Sequence, residues 1–281
     1  MRIATFFGHE PGTIGDYFRR ALVGLGHTLD HYDIGEADRC PDGYDLYLRI
    51  DHGDYAKDLP DRLAPRAFYI VDAHLARSWE QIRRQALRYD VVFCAQRQAA
   101  ARLPRAHWVP LACDPQVHGR RQAELRYDLA FVGTDGGVPR KFILEELRER
   151  FPRSFIGRAP YERMAEIYGQ SKVGFHYIEC TSPLKDHVSM RVYEVLASGT
   201  MLLANALAAG AFEAVGLRDR QELVVYRSLG ECVELARYYL DHDEERQRIA
   251  AAGCRVVTER HTYHHRAAEI ARILQEQLHR A

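Results

Sequence analysis

Two successive series of short apolar segments, each alternating with amphipathic helical segments, constrain what this 281-residue chain can fold into. The first series begins with the strand-like RIATFFG and the helix-like IGDYFRRALVGLG, and it ends with HWVPLA. The second series starts with YDLAFVG at residues 127–133. Strands and helices that alternate at this spacing are typical of a parallel, doubly wound sheet. The sequence therefore predicts an α/β protein with two Rossmann-like parallel-sheet domains.

A polar stretch separates the two series. The segment DPQVHGRRQAELR at residues 114–126 shows no convincing period, and we interpret it as a linker. This places an N-terminal domain at residues 1–122 and a C-terminal domain at residues 123–281, with the last helix as a candidate to pack back on the N-terminal domain. Ligands of open parallel sheets bind beyond the carboxyl ends of the strands, so we expect the domains to face each other across a cleft.

Composition narrows the classes of partner and location. Lys+Arg and Asp+Glu both number 39, so no global field attracts nucleic acid or an anionic membrane. The six cysteines show no C-x-x-C spacing, which indicates buried thiols in a reducing cytosol. The N-terminal apolar stretch is too short for a signal peptide, and no apolar run is long enough to span a membrane. We therefore expect a cytoplasmic protein with no nucleic-acid partner and no transmembrane segment.

The stretch DHVSMRVYEVLASG, residues 186–199, is the most informative local motif. From Ser189 onward it predicts a buried helix that ends at Gly199, because apolar residues occupy nearly every side. Glu194 interrupts this apolar surface. A buried carboxylate is strongly destabilising unless it is paired or hydrogen-bonded, so Glu194 must meet a partner.

Spacing alone leaves two interpretations of this motif open. The turn from His187 to Arg191 forms a helix N-terminus, which suits a phosphate, and Arg191 adds further donors. Glu194, one turn further along, would then accept two hydroxyl groups of a ribose. In the alternative interpretation, Arg191 and Glu194 form an ion pair at i,i+3 and bind no ligand.

The segment from Asp186 to Glu194 also looks like the E-x7-E signature of retaining GT-B glycosyltransferases, with Asp in the first acidic position. Eight blocks between about residues 44 and 266 resemble, in order, the CgeB-like family of spore-maturation-type, group 1 glycosyltransferases. The blocks are YIVDAHLARSW, DVVFCAQ, HWVPLACDP, DLAFVGT, MAEIYGQSKVGFHY, SMRVYEVLASGTMLL, ELVVY and RHTYHHR. The resemblance implies a GT-B fold and transfer of a sugar, with retention expected. The donor would be a nucleotide-sugar, and the acceptor an unidentified polysaccharide, protein or small molecule.

The resemblance also implies roles for residues of the motif. Glu194 would hold the nucleotide ribose, and Arg191 and Ser189 would bind the donor beside it. Asp186 would lie by the donor sugar and the reacting centre as a catalytic residue. Because Asp replaces the usual Glu at this position, its carboxylate reaches one methylene less far.

The segment GTDGGVPRKF follows the first strand of the C-terminal domain. By resemblance, Arg140 and Lys141 take the place of the basic pair that neutralises the diphosphate leaving group, although the usual G-R-x5-K-G form is absent. Gly133 begins a glycine-rich turn whose backbone could approach a phosphate, and an ordinary strand-to-helix turn is the alternative. Arg158 resembles a residue that lines the nucleotide base, with a surface arginine in a turn as the alternative.

In the N-terminal domain, YIVDAH ends a predicted strand with an acid and a histidine. By resemblance, His74 contacts the transferred sugar, and Asp72 holds the acceptor hydroxyl or serves as a base. The alternative for Asp72 is the N-cap of the next helix. Gly12 and Gly15, in HEPGTIGD, resemble the glycine-rich first loop of GT-B N-terminal domains, whose amides touch donor or acceptor.

The sequence gives no sign of a metal site. His261 and His265 in RHTYHHR are spaced i,i+4, but no third ligand stands at matching spacing. The segment DHGD at residues 51–54 could suggest a metal-diphosphate site. The enzymes that the chain resembles, however, bind diphosphate with a helix dipole and basic side chains. We therefore predict no metal and no cofactor, the nucleotide-sugar being a substrate.

Two other functions fit the same fold. One is a non-catalytic module in surface or polysaccharide assembly. The N-terminal domain of about 120 residues is short for a GT-B protein, which favours this alternative. The other is a nucleotide-sugar epimerase, which needs no acceptor.

Overall fold

The structure, a computed structural model, describes residues 1–121, 123–208 and 210–278. Its strands, in chain order, are β1 (Arg2–Phe6), β2 (Thr28–Tyr32), β3 (Leu46–Ile50), β4 (Arg66–Ile70), β5 (Val91–Cys94), β6 (Ala106–Trp108), β7 (Tyr127–Val132), β8 (Ser154–Gly157), β9 (Ser171–His176), β10 (Met201–Asn205) and β11 (Val224–Tyr226). Its α-helices are α1 (Ile14–Gly24), α2 (Ala76–Ala86), α3 (Arg97–Ala100), α4 (Pro115–His118), α5 (Arg140–Arg150), α6 (Tyr161–Gly169), α7 (Met190–Ala197), α8 (Leu229–Asp241), α9 (Asp243–Arg260) and α10 (Tyr263–Leu278). Short 3-10 turns cover Ile34–Arg39, Asp72–His74 and Glu213–Val215.

The chain divides into two compact units, each built on one parallel sheet. The first unit comprises residues 1–111, 179–188 and 263–278, and its six strands lie in the order β2-β1-β3-β4-β5-β6. Strands β3 and β5 are buried along their whole length, as expected for parallel strands that are covered on both faces. The predicted α/β class of this half is confirmed.

Helix α10 belongs to the first unit because it packs on α1. The ring of Tyr263, at the start of α10, lies 5.2 Å from the ring of Tyr17 and 5.0 Å from that of Phe18. Phe18 and Leu22, both on α1, are buried. Residues 179–188 join the same unit, and Leu184 among them lies in its apolar core.

The second unit comprises residues 112–178 and 189–262, with strand order β11-β10-β9-β7-β8. Helix α7 is buried from Val192 to Ala197, and Gly199 follows it at φ 80°, so the predicted buried helix and its glycine stop are confirmed. The apolar core of the second unit includes Leu147 of α5, Phe175 of β9 and Ile249 of α9. The described chain therefore forms two parallel-sheet units, as the sequence predicts.

The units are not single stretches of chain like the predicted domains 1–122 and 123–281. Residue 122, the last of the predicted N-terminal domain, lies outside the described residues. Residues 112–121 group with the second unit, whereas 179–188 and 263–278 group with the first. Within residues 114–126, which the sequence analysis interprets as a linker, α4 folds and buries His118. In the part of the chain that the structure describes, no helix is both long and apolar enough to span a bilayer.

Candidate active site

In the second unit, the candidate site is centred on Glu194, which is only 2% exposed. Its Oε2 accepts a hydrogen bond from Arg191 at 2.7 Å, across one turn of α7. Its Oε1 lies 3.2 Å from Nε2 of His118, which α4 carries into the interior. The i,i+3 ion pair of the alternative interpretation therefore exists, and a second partner accompanies it.

His118 is a site residue that the sequence analysis missed. Its Nδ1 accepts the backbone N–H of Asp114 at 2.9 Å, so the ring proton belongs on Nε2 and is directed at Glu194. A local signal for α4 does exist, since Asp114 followed by Pro115 is a typical helix start. The contact between α4 and α7 is long-range in sequence, and no local pattern encodes it.

The ionisation state of Glu194 follows from these neighbours. Burial by itself would raise the pKa of Glu194, but the charge of Arg191 and the contact with His118 outweigh burial and hold the pKa at about 2. Glu194 is therefore a carboxylate at neutral pH. A carboxylate has about four acceptor sites, so its two contacts leave it able to accept further hydrogen bonds.

Ser189 occupies the N-cap position of α7 without capping the helix through its side chain. Its Oγ lies instead 2.8 Å from Nε2 of His176, at the carboxyl end of β9. Burial, and after it the charges of Arg191 and Arg140, lower the pKa of His176 to about 3. The imidazole is therefore neutral, and the dependence of its pKa on both arginines places all three residues in one neighbourhood.

The glycine-rich turn after β7 carries Arg140 into this neighbourhood. Gly136 has φ 60°, and a Cβ on it would lie 2.0 Å from a terminal nitrogen of Arg140, so the guanidinium lies directly over the glycine. Gly133 closes the strand by donating its N–H to the carbonyl of Gly157 at 2.9 Å. Lys141 is exposed, and its Nζ lies 4.0 Å from Oε1 of Glu145 on the outer face of α5. The turn therefore places Arg140 near His176 and Arg191, whereas Lys141 faces solvent.

Arg158 is exposed and follows β8 directly, at the same carboxyl edge of the sheet. Strands β9, β7 and β8 are neighbours, so the segments after them lie side by side. The structure therefore brings most of the predicted donor-binding residues to one edge. They are Gly133, Arg140, Arg158, Ser189, Arg191 and Glu194.

In the first unit, Asp72 and His74 form the 3-10 turn that follows β4. The N-cap of α2 is Leu75, so the alternative role of Asp72 as the cap of the next helix is wrong. Burial, followed by the charge of Asp51, raises the pKa of Asp72 to about 7. Burial lowers the pKa of His74 to about 4, so this imidazole is neutral.

His74 and Asp186 are tied to the same part of the first unit. The ring of His74 stacks on that of His187, with centroids 3.7 Å apart and planes 3° apart. One oxygen of Asp186, Oδ2, accepts the backbone N–H of Gln98 at 2.8 Å. Its other oxygen, Oδ1, is buried without a hydrogen-bond partner among the described residues. The two acids of the D-x7-E motif thus belong to different units, because Asp186 groups with the first and Glu194 with the second.

The two predicted loop glycines of the first unit have local explanations. A Cβ on Gly15 would lie 2.2 Å from the ring of Phe7, so this position keeps α1 close to the end of β1. Gly12 has φ 74°, which suits the turn before α1. Across residues 1–121, 123–208 and 210–278, no group of three or more His, Cys, Asp or Glu side chains could hold a metal ion.

Comparisons with known proteins bear on this site. A family model described as glycosyl transferase-like matches residues 118–272, which is more than half of the chain. No curated protein matches the sequence significantly.

Solved structures are similar to the whole chain. Sucrose-phosphate synthase from Thermosynechococcus elongatus has a TM-score of 0.67 at 12% identity, with 100% of both chains covered. Anabaena HepE in complex with UDP and glucose has a TM-score of 0.66 at 9% identity, covering 98% of this chain and 100% of that chain. An alpha-glucosyltransferase in complex with UDP and a 13-mer DNA has a TM-score of 0.72 at 11% identity, covering 98% of this chain and 99% of that chain. At such identities the likeness concerns the fold.

Proposed function

Because this chain belongs to the glycosyl transferase-like family and has the GT-B fold, we propose that it transfers a sugar from a nucleotide-sugar donor to an acceptor. The observation that carries the proposal is the carboxyl edge of the second sheet. There Arg191 and Arg140 lie near a neutral His176, beside the buried carboxylate of Glu194. Cations at a helix N-terminus suit the diphosphate that leaves with the nucleoside.

The proposed donor site uses each of these groups differently. Arg191 is 24% exposed, so its guanidinium can reach a ligand while Glu194 orients it. Glu194 has acceptor capacity left for the ribose hydroxyl groups. Arg140 is the second phosphate ligand, in preference to the exposed Lys141. Because structures of similar fold contain UDP, uridine nucleotides are the first donors to test.

The first unit supplies the proposed reaction-side residues. Asp72 and His74 act on the donor sugar or on the acceptor hydroxyl, and Asp186 supports the reacting centre. We propose retention of configuration and a place in the CgeB-like branch because the sequence blocks resemble that branch. The equal numbers of acidic and basic residues argue against a nucleic-acid acceptor, so a polysaccharide, a protein or a small molecule is proposed. A cytoplasmic location is proposed because the six cysteines show no C-x-x-C spacing, which is typical of thiols in a reducing compartment.

The test is calorimetry of nucleoside diphosphates with the full chain and with Glu194→Gln and Arg191→Ala. Loss of a hydrogen bond to a charged group should weaken binding by roughly 1–3 kcal/mol in each variant. Glu222→Gln is the matched control, because Glu222 is also buried and pairs with Arg218 at 2.9 Å in the same unit. Unchanged affinity in both site variants would leave Arg191 and Glu194 as a structural pair.

Product analysis then separates the enzymatic alternatives. Incubation with the donor that binds should yield free nucleoside diphosphate, by slow hydrolysis or by transfer to an added acceptor. Recovery of an epimerised donor instead would indicate the epimerase. Binding without any turnover would favour the non-catalytic module.

A further inference from the structure

Two carboxyl groups stand at the carboxyl ends of neighbouring strands in the first unit. Asp51 follows β3 directly, and Asp72 follows β4 after one intervening residue. The two strands pair in parallel, with Ile50 opposite Tyr69. The function proposed above uses Asp72 and gives no task to Asp51.

Asp51 is 6% exposed, and its side chain is fixed by donors alone. Its Oδ2 accepts the backbone N–H groups of Val71 and Asp72, both at 3.0 Å. Its Oδ1 accepts the N–H of Gly53 at 3.1 Å, and the hydroxyl of Tyr55 lies 2.7 and 2.8 Å from the two oxygens. Contacts to donors on both oxygens are the pattern of an ionised carboxylate. Asp51 therefore clamps the turn that carries Asp72 and places a negative charge beside it.

The side chain of Asp72 lies beside the negative charge of Asp51 and is itself poorly hydrated. Burial raises its pKa first, the charge of Asp51 adds to the rise, and the result is about 7. Two carboxyl groups that share a site rarely ionise together, because each charge opposes the other. Asp72 is the member without this set of backbone donors, so it keeps the proton.

Within the described residues, the titratable groups that act on the pair do not supply a compensating cation. His74, on the same turn, is neutral because burial lowers its pKa. Burial and the two carboxyl groups both raise the pKa of Tyr55, so its phenol stays protonated. Burial and Asp51 likewise raise the pKa of the Cys94 thiol on β5. The charge of Asp51 helps to raise the pKa of Arg49. The guanidinium of Arg49, however, pairs with the carboxylate of Asp58, with Nη1 and Oδ1 2.9 Å apart.

We propose that Asp51 is a positioning residue for Asp72, which fixes the turn that presents Asp72 and forms with it a carboxyl pair that holds one proton. The inference rests on the proposed function in giving Asp72 contact with a sugar or acceptor hydroxyl. The protonated Asp72 donates a hydrogen bond to such a group, and the ionised form accepts one. The state of the pair thus sets which hydrogen bond the reacting hydroxyl makes.

The test is a pH titration of the aspartate side-chain carboxyl carbons by NMR, on the full, isotope-labelled chain without any ligand. In the wild type, the Asp72 signal should titrate near neutral pH, well above the range of an ordinary aspartate. In Asp51→Asn, the Asp72 midpoint should fall by about one pH unit or more, since the neighbouring charge is gone.

Two variants control this measurement. Asp54→Asn removes a charge three residues away, whose carboxylate accepts the N–H of Ala56 at 2.9 Å, and it should leave the Asp72 midpoint in place. Tyr55→Phe removes the phenol but keeps the charge of Asp51, so the midpoint should stay high. An unchanged midpoint in folded Asp51→Asn overturns the proposal. Should that variant not fold, absence of an Asp72 titration near neutral pH in the wild type overturns it equally.

The titration needs neither donor nor acceptor, so its failure would contradict the role of Asp51 alone. The proposed function is tested separately by the transfer activity of Asp72→Asn. In a transfer assay, the limb of the pH profile that Asp72 sets should move to lower pH in Asp51→Asn and stay in place in Asp54→Asn. A purely structural role of Asp51 would lower activity at every pH without moving that limb.

Discussion

At the scale of single residues, the charge of Glu194 depends on two side chains from different helices. Arg191 lies one turn earlier on α7, and His118 comes from α4. His118 reaches Glu194 with its proton-bearing nitrogen because the other nitrogen is occupied by the backbone of Asp114. The two contacts hold ionised a carboxylate that burial alone would neutralise. The ionised Glu194 and its two contacts therefore affect the stability of the protein as well as its candidate binding site.

Glu194 should contribute stability that depends on pH. Because its pKa falls from 4.5 to about 2 on folding, its contribution is fully present above pH 4.5 and is lost as the pH falls toward 2. That shift corresponds to about 3 kcal/mol of unfolding free energy. We expect urea unfolding of wild type and Glu194→Gln to differ most near neutral pH, with the difference shrinking as the pH approaches 2.

Glu145→Gln is the control for this titration, because Glu145 is exposed on α5 and should change stability little at any pH. A stability difference between wild type and Glu194→Gln that is the same at every pH would show that the ionisation of Glu194 plays no part in it.

At the scale of elements, the turn between β7 and α5 sets the place of Arg140. Gly136 has a left-handed φ of 60°, which favours glycine, and the guanidinium of Arg140 lies over it. Gly137, the next residue, has neither constraint, because nothing lies within 4 Å of a Cβ added there. The two neighbouring glycines therefore offer a comparison within one turn.

We predict that Gly136→Ala lowers stability by about 1–2 kcal/mol, the cost of a left-handed residue with a side chain. It should also weaken nucleoside diphosphate binding, because the added methyl group displaces Arg140. Gly137→Ala should change both properties little. Urea unfolding and calorimetry of the two variants measure these effects. Equal effects of the two substitutions on affinity would mean that Arg140 does not contact the phosphates.

At the scale of the whole molecule, the proposed donor residues belong to the second unit and the proposed reaction residues to the first. Removing a contact made equally in ground and transition states raises KM, whereas removing one made chiefly in the transition state lowers kcat. We therefore expect Arg191→Ala to weaken nucleoside diphosphate binding, and His74→Ala and Asp72→Asn mainly to lower kcat. Loss of nucleotide binding in folded Asp72→Asn or His74→Ala would reverse the roles of the units.

The whole molecule should also work without a metal ion. The expected phosphate ligands are Arg140, Arg191 and the N-terminus of α7, which together supply positive charge and hydrogen-bond donors. Nucleoside diphosphate affinity and turnover should therefore be the same in chelator as in added Mg²⁺ or Mn²⁺. Affinity that chelation abolishes and either metal restores would contradict this prediction.

The sequence by itself determined the class of fold and the buried helix of the central motif. Two features are local patterns that backbone geometry makes readable: the alternation of strands and helices, and the largely apolar segment from Val192 to Ala197 with Gly199 after it. The sequence also required a partner for Glu194, since burying a lone charge is too costly.

Only the tertiary structure decided which partners those are. His118 and Glu194 are 76 positions apart, and no periodicity connects α4 with α7. In the same way, Leu184 enters the core of the first unit from a segment that follows β9, and Tyr263 packs α10 on α1. Asp51 lies beside Asp72 because β3 and β4 are neighbours in the sheet. Such contacts arise from strand order and side-chain packing, which depend on the whole chain at once and leave no local trace in the sequence.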